Sequence, residues 1–586
     1  FNVSSYEVVL PEEKDNIVEF LCSDIFPGIG ERKASKIVEV LGDDCLSVIL
    51  ETPDNLLLVP GVTSKQKDTI YENLIKYRES YLTIVELTSY GFNMKDALSI
   101  YNKYKSMAIS VFSSNPYKLI DDIADITYKK IESIRHNLSI SDDDKNRIKA
   151  SISYVFSFVC FSYGNTYMLY EEIVSFTKKL LNFESSSLII DCLSEMVDSG
   201  DVIKYEEKYF LKSMYEMEKY VANRIFNLAN SFTKFNYGDI DSSIEELESL
   251  LGISYNSCQV SAIRESFVNN FLVITGGPGT GKTTIINAIC KLYSSINGVS
   301  YDEMMDSFVL LAPTGRAAKR VSEQTGYVAS TIHRFLKWNK EDNSFRVNEE
   351  NKSSAKVIIV DEVSMVDINL LYSLFLGIDD DTKVILIGDF NQLPSVGPGQ
   401  VLKDIILSDC VNVVKLEKLY RREETSNITL LAHDIIHDSV SMDLFNTSDD
   451  LSFIECDSTN MKSKLLEVVS SYVDCSYDSF QVLAPIYKGD NGIDDLNYFL
   501  QDIFNPKDSS KNEMVLDGVL YRECDKVLQL VNNVDDNVFN GDIGSIRLIK
   551  NKDKQVYIDF DNNMIKYTPA NYSNIKLFAP FYLEVR

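Results

Sequence analysis

The chain has 586 residues and a formal net charge of −29, from 58 Lys and Arg against 87 Asp and Glu. Its 45% hydrophobic and 11% aromatic content supplies real cores and excludes a disordered chain, and its length suits roughly four domains. No apolar run reaches the ~20 residues that span a bilayer and no signal peptide opens the chain, while ten cysteines without a C-x-x-C pair read as reduced core residues of a cytoplasmic protein.

The first elements are helical. Phe26-Pro27-Gly28-Ile29-Gly30 precedes an amphipathic helix with Ala34, Ile37, Val38 and Leu41, and Leu58-Val59-Pro60-Gly61-Val62-Thr63 repeats the pattern before another helix. A short helix, a glycine turn and a second helix make a helix-hairpin-helix, whose turn amides grip DNA phosphates without reading sequence. Gly28, Gly30 and Gly61 are therefore candidate DNA-binding positions, flanked by Arg32, Lys33, Lys36, Lys65 and Lys67. Two ordinary αα-hairpins are the competing reading. The net charge opposes nucleic-acid binding when taken globally, but the field that matters is local. Further on, Gly238, Asp239 and Asp241 followed by an acidic helix read as a linker over 236–254.

The apolar run Phe271-Leu272-Val273-Ile274 leads into Gly276-Gly277-Pro278-Gly279-Thr280-Gly281-Lys282-Thr283-Thr284, and a helical pattern starts at Ile285. Strand, loop and helix in register are the setting a Walker A loop requires. The glycines let backbone amides wrap a phosphate, Lys282 reaches the β- and γ-phosphates, and Thr283 holds Mg²⁺. A plain Gly-rich turn would not need both neighbours in place. Leu310-Leu311-Ala312-Pro313-Thr314-Gly315-Arg316 then leaves a strand for a basic helix, followed by Ser330-Thr331-Ile332-His333. Val357-Ile358-Ile359-Val360 is a buried run ending in Asp361-Glu362. Asp361 suits Mg²⁺ through a water, and Glu362 suits activation of the attacking water. Val384 to Ile387 ends in a polar loop where Gln392 can sense a γ-phosphate, and Arg421 offers a cation to a triphosphate from across a cleft. Asn339-Lys340-Glu341-Asp342 fits a guanine-reading pattern but sits in a polar loop ahead of the Asp-Glu strand, so ATP is preferred.

In this order the segments resemble the motifs of the first helicase superfamily and, within it, the RecD-like DNA helicases, over nearly the whole chain. Gln259 resembles the adenine-reading glutamine ahead of the P-loop. Arg421 matches the arginine of motif IV, with Arg422 where a glutamine is expected. Gln481 to Gly489, including Lys488, resembles the start of the second motor domain, and Asn532 to Gly544 the edge of an SH3-like insertion. Thr314, Arg316, Thr331, His333 and Lys488 are, by the resemblance, candidates for DNA contact.

The resemblance implies a multidomain fold: an α-helical N-terminal part, then two RecA-like α/β P-loop motor domains, the second incomplete and carrying an SH3-like β insertion. The expected boundaries are 1–14 for a remnant of an N-terminal β-domain and 15–150 for the helix-hairpin-helix region. A winged-helix-like module follows over 151–235, with Lys208-Tyr209-Phe210-Leu211 as a wing strand, and then the linker over 236–254. The first motor domain takes 255–435 and the second 436–586, with the insertion at about 513–575. The implied activity is an ATP-dependent DNA helicase moving 5′ to 3′ on single-stranded DNA in repair or recombination, a monomer acting on single strands and single/double-strand junctions. Its cofactors are ATP and Mg²⁺, with Thr283 and Asp361 at the metal and Lys282, Asp361, Glu362, Gln392 and Arg421 as the catalytic set. The chain starts at Phe1 and stops at Arg586, before the family's T-x-H-K-x-Q-G-S-E element and second cleft arginine. The expectation is a partial chain that binds nucleotide and some DNA and turns over poorly, because a missing arginine finger costs roughly 10³–10⁵ in rate. Two rivals stand beside this reading: a DNA-binding protein that uses ATP only as a conformational ligand, and an RNA helicase of the same superfamily.

Overall fold

The computed structural model describes residues 17–18, 21–22, 26, 29–42, 44–123, 125–138, 140–231, 238–298, 300, 304–339, 343–416, 426–442, 450–470, 482–484, 486–516, 518–531, 533, 536, 538, 540–560 and 562–578. The chain divides into two compact units, Phe1–Val155 with Glu171–Ser199, and Phe156–Tyr170 with Gly200–Arg586.

The first unit is helical. Helix α1 (Glu31–Leu41) starts at Gly30, whose carbonyl accepts from the amides of Lys33 and Ala34. Its apolar residues Ala34, Ile37 and Val38 fall on one face and are buried. Helix α2 (Cys45–Glu51) and a 3₁₀ turn (Pro53–Leu58) follow, and Gly61 at φ +96° leads to α3 (Ser64–Ser89). A reciprocal capping box of Thr63 and Gln66 opens α3, satisfying two amides that the helix start leaves orphaned. These elements enclose one core, with Phe26, Ile49, Leu56 and Leu74. The far end of α3 belongs to a second core of Leu87, Phe92, Ile100, Phe112 and Ile131. There Gly91 (φ +109°) turns the chain into α4 (Met94–Tyr104), and a Cβ on it would meet Ile134 Cγ2 at 3.0 Å. A short helix, Lys118–Asp122, precedes α5 (Tyr128–Ile134), which the Thr127 hydroxyl caps.

Helix α6 (Lys145–Tyr163) is followed by strand β1 (Met168–Leu169), helices α7 (Tyr170–Leu181) and α8 (Ser187–Ser199), and strands β2 (Val202–Tyr205) and β3 (Lys208–Leu211). The strands form an antiparallel sheet in the order β1-β3-β2. Helix, strand, two helices and two strands are the winged-helix order, and the expected wing strand Lys208–Leu211 is β3.

The second unit is built on six parallel strands: β4 (Phe271–Gly276), β5 (Phe308–Ala312), β6 (Ala329–Thr331), β9 (Val357–Val360), β10 (Lys383–Gly388) and β11 (Val413–Leu416). A small hairpin, β7 (Trp338–Asn339) with β8 (Ser344–Phe345), stands outside this sheet, whose order is β11-β4-β10-β9-β5-β6. The central strands are unbroken Val, Ile and Leu runs because helices cover both faces. Successive side chains point to opposite faces. Leu272, Ile274, Ile359, Ile385 and Ile387 therefore enter one core, with α11 (Ser257–Val268) and α12 (Lys282–Asn297). Phe271, Val273, Ile358, Val360, Val384 and Leu386 enter the other, with α14 (Ile368–Leu376) and α15 (Val401–Leu407).

Two flanking helices differ from the expected boundaries. The stretch 236–254, read as a linker, contains α10 (Ile240–Leu251), whose Ile244 and Leu247 are buried in the first of these cores. Helix α9 (Lys212–Ala229), placed by sequence in the winged-helix-like module, buries Val221, Ile225 and Leu228 in the second. Both are amphipathic, and their apolar stripes pack on the motor sheet.

Lys383 opens β10 and is 2% exposed. Its ammonium donates to the carbonyls of Ser266 (2.9 Å) and Phe267 (2.7 Å), in the last turn of α11. Cations are favoured at a helix C-terminus, yet burial pushes this group down from its ordinary 10.5 to about 7. From about pH 7 to 10 the unfolded chain therefore holds a proton that the folded chain releases, so this lysine makes stability rise with pH across that window. Lys383→Met is expected to flatten the rise. Melting temperatures at pH 7 and pH 9 check this, and equal slopes in the two proteins would refute it.

Beyond the motor sheet, helices Met461–Val469 and α16 (Ile493–Phe504) fall within the residues expected to form the second motor domain. Then β12 (Glu513–Leu516) pairs with β13 (Val519–Arg522). Strands β14 (Lys526–Gln529), β15 (Ile543–Lys550), β16 (Gln555–Phe560), β17 (Asn563–Tyr567) and β18 (Ile575–Leu577) make an antiparallel sheet ordered β17-β16-β15-β14-β18. Val527, Ile546, Val556, Ile558 and Tyr567 fill its core. This small SH3-like fold lies where the β insertion was expected.

Candidate nucleotide cleft

Parallel strands end on the same edge, so the sheet order decides which loops meet. β4 and β9 both flank β10, which brings the P-loop, Asp361-Glu362 and the loop carrying Gln392 together. The end of β5, next to β9, adds Thr314 and helix α13 (Gly315–Thr325). A cavity of about 630 Å³ opens between them. From the P-loop side it is lined by Pro278, Gly279, Gly281, Lys282, Thr283 and Thr284, and from β9 and the β10 loop by Asp361, Glu362 and Gln392. Gly276, Gly277 and Thr280, also expected at the nucleotide, are not among its lining residues. They shape the loop instead.

Gly279 (φ +81°) and Gly281 (φ +91°) take the left-handed conformations that let the loop curl. The Thr280 hydroxyl donates to Gly277 O at 2.9 Å, and Lys282 Nζ donates to Gly276 O (2.6 Å) and Gly277 O (3.0 Å). Helix α12 begins at Lys282, so its first amides and the positive end of its dipole face the cavity, a setting suited to an anion.

Gln259 stands behind the loop. Its Oε1 accepts from the Asn256 amide at 3.1 Å while its own amide donates to Asn256 Oδ1 at 2.9 Å, a capping box for α11. Its Nε2 donates to Thr280 O at 3.4 Å. Both ends of this side chain are engaged, and at 5% exposure it braces the P-loop rather than lining the cavity.

Asp361 is 8% exposed. Burial, and after it the charge of Glu362, push its carboxyl up to about 6, against the opposing charges of Lys282 and Arg320. Its Oδ1 is buried without a hydrogen-bond partner. An orphaned carboxylate oxygen lining this cavity fits a divalent cation, which would compensate the buried charge. Glu362 adopts φ +53°, a left-handed conformation that costs a non-glycine residue on the order of 1 kcal/mol or more. That turn presents its carboxylate at the cavity beside Asp361.

The DNA candidates separate. Thr314 and Arg316 line the nucleotide cavity, and the Thr314 hydroxyl accepts from Ala317 N as the cap of α13. Thr331, at the end of β6, likewise caps a short helix through Arg334 N. In that helix the His333 ring lies 5.8 Å from Phe345 and 6.2 Å from Trp338, and burial lowers its pKa. Lys488 is exposed on a turn after Ala484. Gly30 and Gly61 are in the helical unit. Gly28 and Arg421 lie outside the described residues. Sequence reading missed Asn287, which lines the cavity with its buried Oδ1 unpartnered. The signal for it is its spacing, one helical turn beyond Thr283 on α12.

A parallel sheet with a P-loop on one strand and an Asp-Glu pair on the next strand but one defines a RecA-like P-loop motor domain. Family models match in three places: an AAA domain at residues 259–398, the HHH domain of ATP-dependent RecD2 DNA helicases at 76–167, and the SH3 domain of ATP-dependent RecD-like DNA helicases at 496–560. The ATP-dependent RecD2 DNA helicase of Deinococcus radiodurans is 26% identical over 569 residues, covering 94% of this chain and 75% of the relative. The RecD subunit of the RecBCD enzyme of Buchnera aphidicola (subsp. Acyrthosiphon pisum) is 25% identical over 500 residues, covering 73% of this chain and 81% of the relative. A solved structure of Pif1 helicases at forked double-stranded DNA matches 56% of this chain and 82% of its own, at 17% identity and a TM-score of 0.35. These matches support a RecD-like DNA helicase of the first helicase superfamily, with a helix-hairpin-helix domain ahead of the motor. The matched HHH span begins after Gly28, Gly30 and Gly61 and contains the Gly91 turn.

Proposed function

We propose that this chain couples ATP to 5′ to 3′ movement along single-stranded DNA, in DNA repair or recombination. The observation that carries this reading is the single cavity gathering Lys282, Thr283, Asp361, Glu362 and Gln392 at one sheet edge. The Lys282 ammonium and the α12 amides bind the phosphates. Thr283 and Asp361 hold Mg²⁺, which when bound neutralises charge on the phosphate oxygens. The Glu362 carboxylate orients the attacking water and takes its proton, and the Gln392 amide meets the terminal phosphate. Arg421 supplies a second cation to the same phosphate. Gln259 is proposed to act on the nucleotide through the loop it braces. Thr331, His333 and Lys488, with the hairpin turns at Gly28, Gly30 and Gly61, contact DNA backbone.

Coupling between nucleotide and DNA is the test. A non-hydrolysable ATP analogue is expected to change the affinity for single-stranded DNA by about 5- to 100-fold, as coupled sites typically do, and to leave it unchanged in Lys282→Ala. Fluorescence anisotropy of a labelled oligonucleotide reads both, with an RNA oligomer of the same sequence as competitor. Nucleotide-independent DNA binding would overturn the coupling, and tighter binding of RNA would move the substrate. Displacement of streptavidin from the 3′ end rather than the 5′ end reads the direction.

A further inference from the structure

One wall of the nucleotide cavity takes no part in the mechanism proposed above. It consists of Arg316, Arg320 and Gln324 on α13. At four-residue spacing these side chains stack on one face of the helix. Both guanidiniums are exposed there, and neither pairs with a carboxylate among the described residues. Arg147, Arg224 and Arg522, in contrast, are each ion-paired. Arg320 lines the same cavity as Asp361 and Glu362, the pair at which the terminal phosphate is cleaved in the mechanism proposed above. A guanidinium stays charged and offers paired N–H donors matched to phosphate oxygens.

We propose that Arg320, with Arg316 beside it, is a further phosphate-binding residue of this cavity, contributed by the same domain as the P-loop and directed at the terminal phosphate of a nucleoside triphosphate. The proposal rests on reading the cavity as the nucleotide site. It places cations on two sides of the phosphate chain, Lys282 from the loop and Arg320 from the facing helix. Arg320 then discriminates triphosphate from diphosphate without help from any other domain.

The test measures ATP and ADP affinity by displacement of a fluorescent nucleotide from the full chain, in wild type, Lys282→Ala, Arg320→Ala and Arg320→Lys. Arg320→Ala is expected to weaken ATP about tenfold or more and ADP less than about threefold, the scale of a charge-assisted contact made to one phosphate only. Arg320→Lys is expected to recover part of the loss, since the charge remains without the fork. The melting temperature of each nucleotide-free variant separates a folding defect from a binding defect. Wild-type ATP affinity in Arg320→Ala, or equal losses for ATP and ADP, would overturn the proposal while the site reading stands. If the wild type binds neither nucleotide, or Lys282→Ala binds as well as wild type, the site reading falls and takes the proposal with it.

Discussion

Lys282→Ala is expected to weaken triphosphate binding by roughly 10- to 100-fold and to leave the melting temperature of the nucleotide-free chain nearly unchanged. The Lys282 ammonium donates to two P-loop carbonyls, at 2.6 and 3.0 Å. These are neutral acceptors on a half-buried loop that water reaches once the ammonium is gone, so losing them costs about 1 kcal/mol. Phosphate oxygens are charged acceptors, and hydrogen bonds to charged groups contribute about 1.5–3 kcal/mol each. The difference appears only when nucleotide binds. It should show as a lost thermal shift, since a ligand that binds the folded state alone stabilises it by RT ln(1 + [L]/Kd). Isothermal calorimetry gives the affinity and a thermal melt gives the stability. Wild-type affinity in the variant would remove the P-loop from the mechanism, and a large fall in melting temperature would make Lys282 a structural residue.

The parts of this cleft that were legible in the sequence are those written in contiguous residues. The P-loop needs a strand, a glycine-rich turn and a helix in direct succession, and Phe271 to Ile285 spells all three. Asp361-Glu362 was legible because four buried aliphatic residues run directly into it. Residues whose role depends on another segment were not. Arg316 and Arg320 lie on a basic helix that suits DNA as well as nucleotide. What places them on the cavity is the pairing of β5 beside β9, with Leu311 opposite Val360, and nothing local encodes that pairing. Gln259 presents the same problem. Its capping box with Asn256 is readable as N-x-x-Q at a helix start, but the contact with Thr280 crosses 21 residues of chain. Helices α9 and α10 were assigned to the wrong side of a boundary for a related reason. An amphipathic stripe announces that a helix packs, and does not say against which core. The left-handed turn at Glu362 has no sequence signal at all, since nothing about a glutamate after a buried strand demands φ +53°.

Gly281→Ala is expected to destroy nucleotide binding and to lower the melting temperature of the nucleotide-free chain as well, which separates it from Lys282→Ala. Gly281 holds φ +91°, and forcing a side chain into that region costs about 1–3 kcal/mol. Its added Cβ would also clash with Gln259 Nε2. Gln259 has no easy retreat, because Asn256 holds its other end and its own Nε2 is committed to Thr280 O. Either the brace breaks, for about 1 kcal/mol per hydrogen bond, or the first turn of α12 moves. Lys282 and Thr283 follow Gly281 directly, so a shift of that turn misplaces the amides, the ammonium and the hydroxyl together. A displacement of about 1 Å at a reacting centre can cost on the order of 10²-fold. The double variant Gly281→Ala/Gln259→Ala distinguishes the two contributions. It removes the clash and keeps the backbone strain, so part of the melting temperature should return while nucleotide affinity stays low. Full recovery of both would mean that the glycine is required only to make room for Gln259. Recovery of neither would mean that the left-handed backbone alone sets the shape of the phosphate loop.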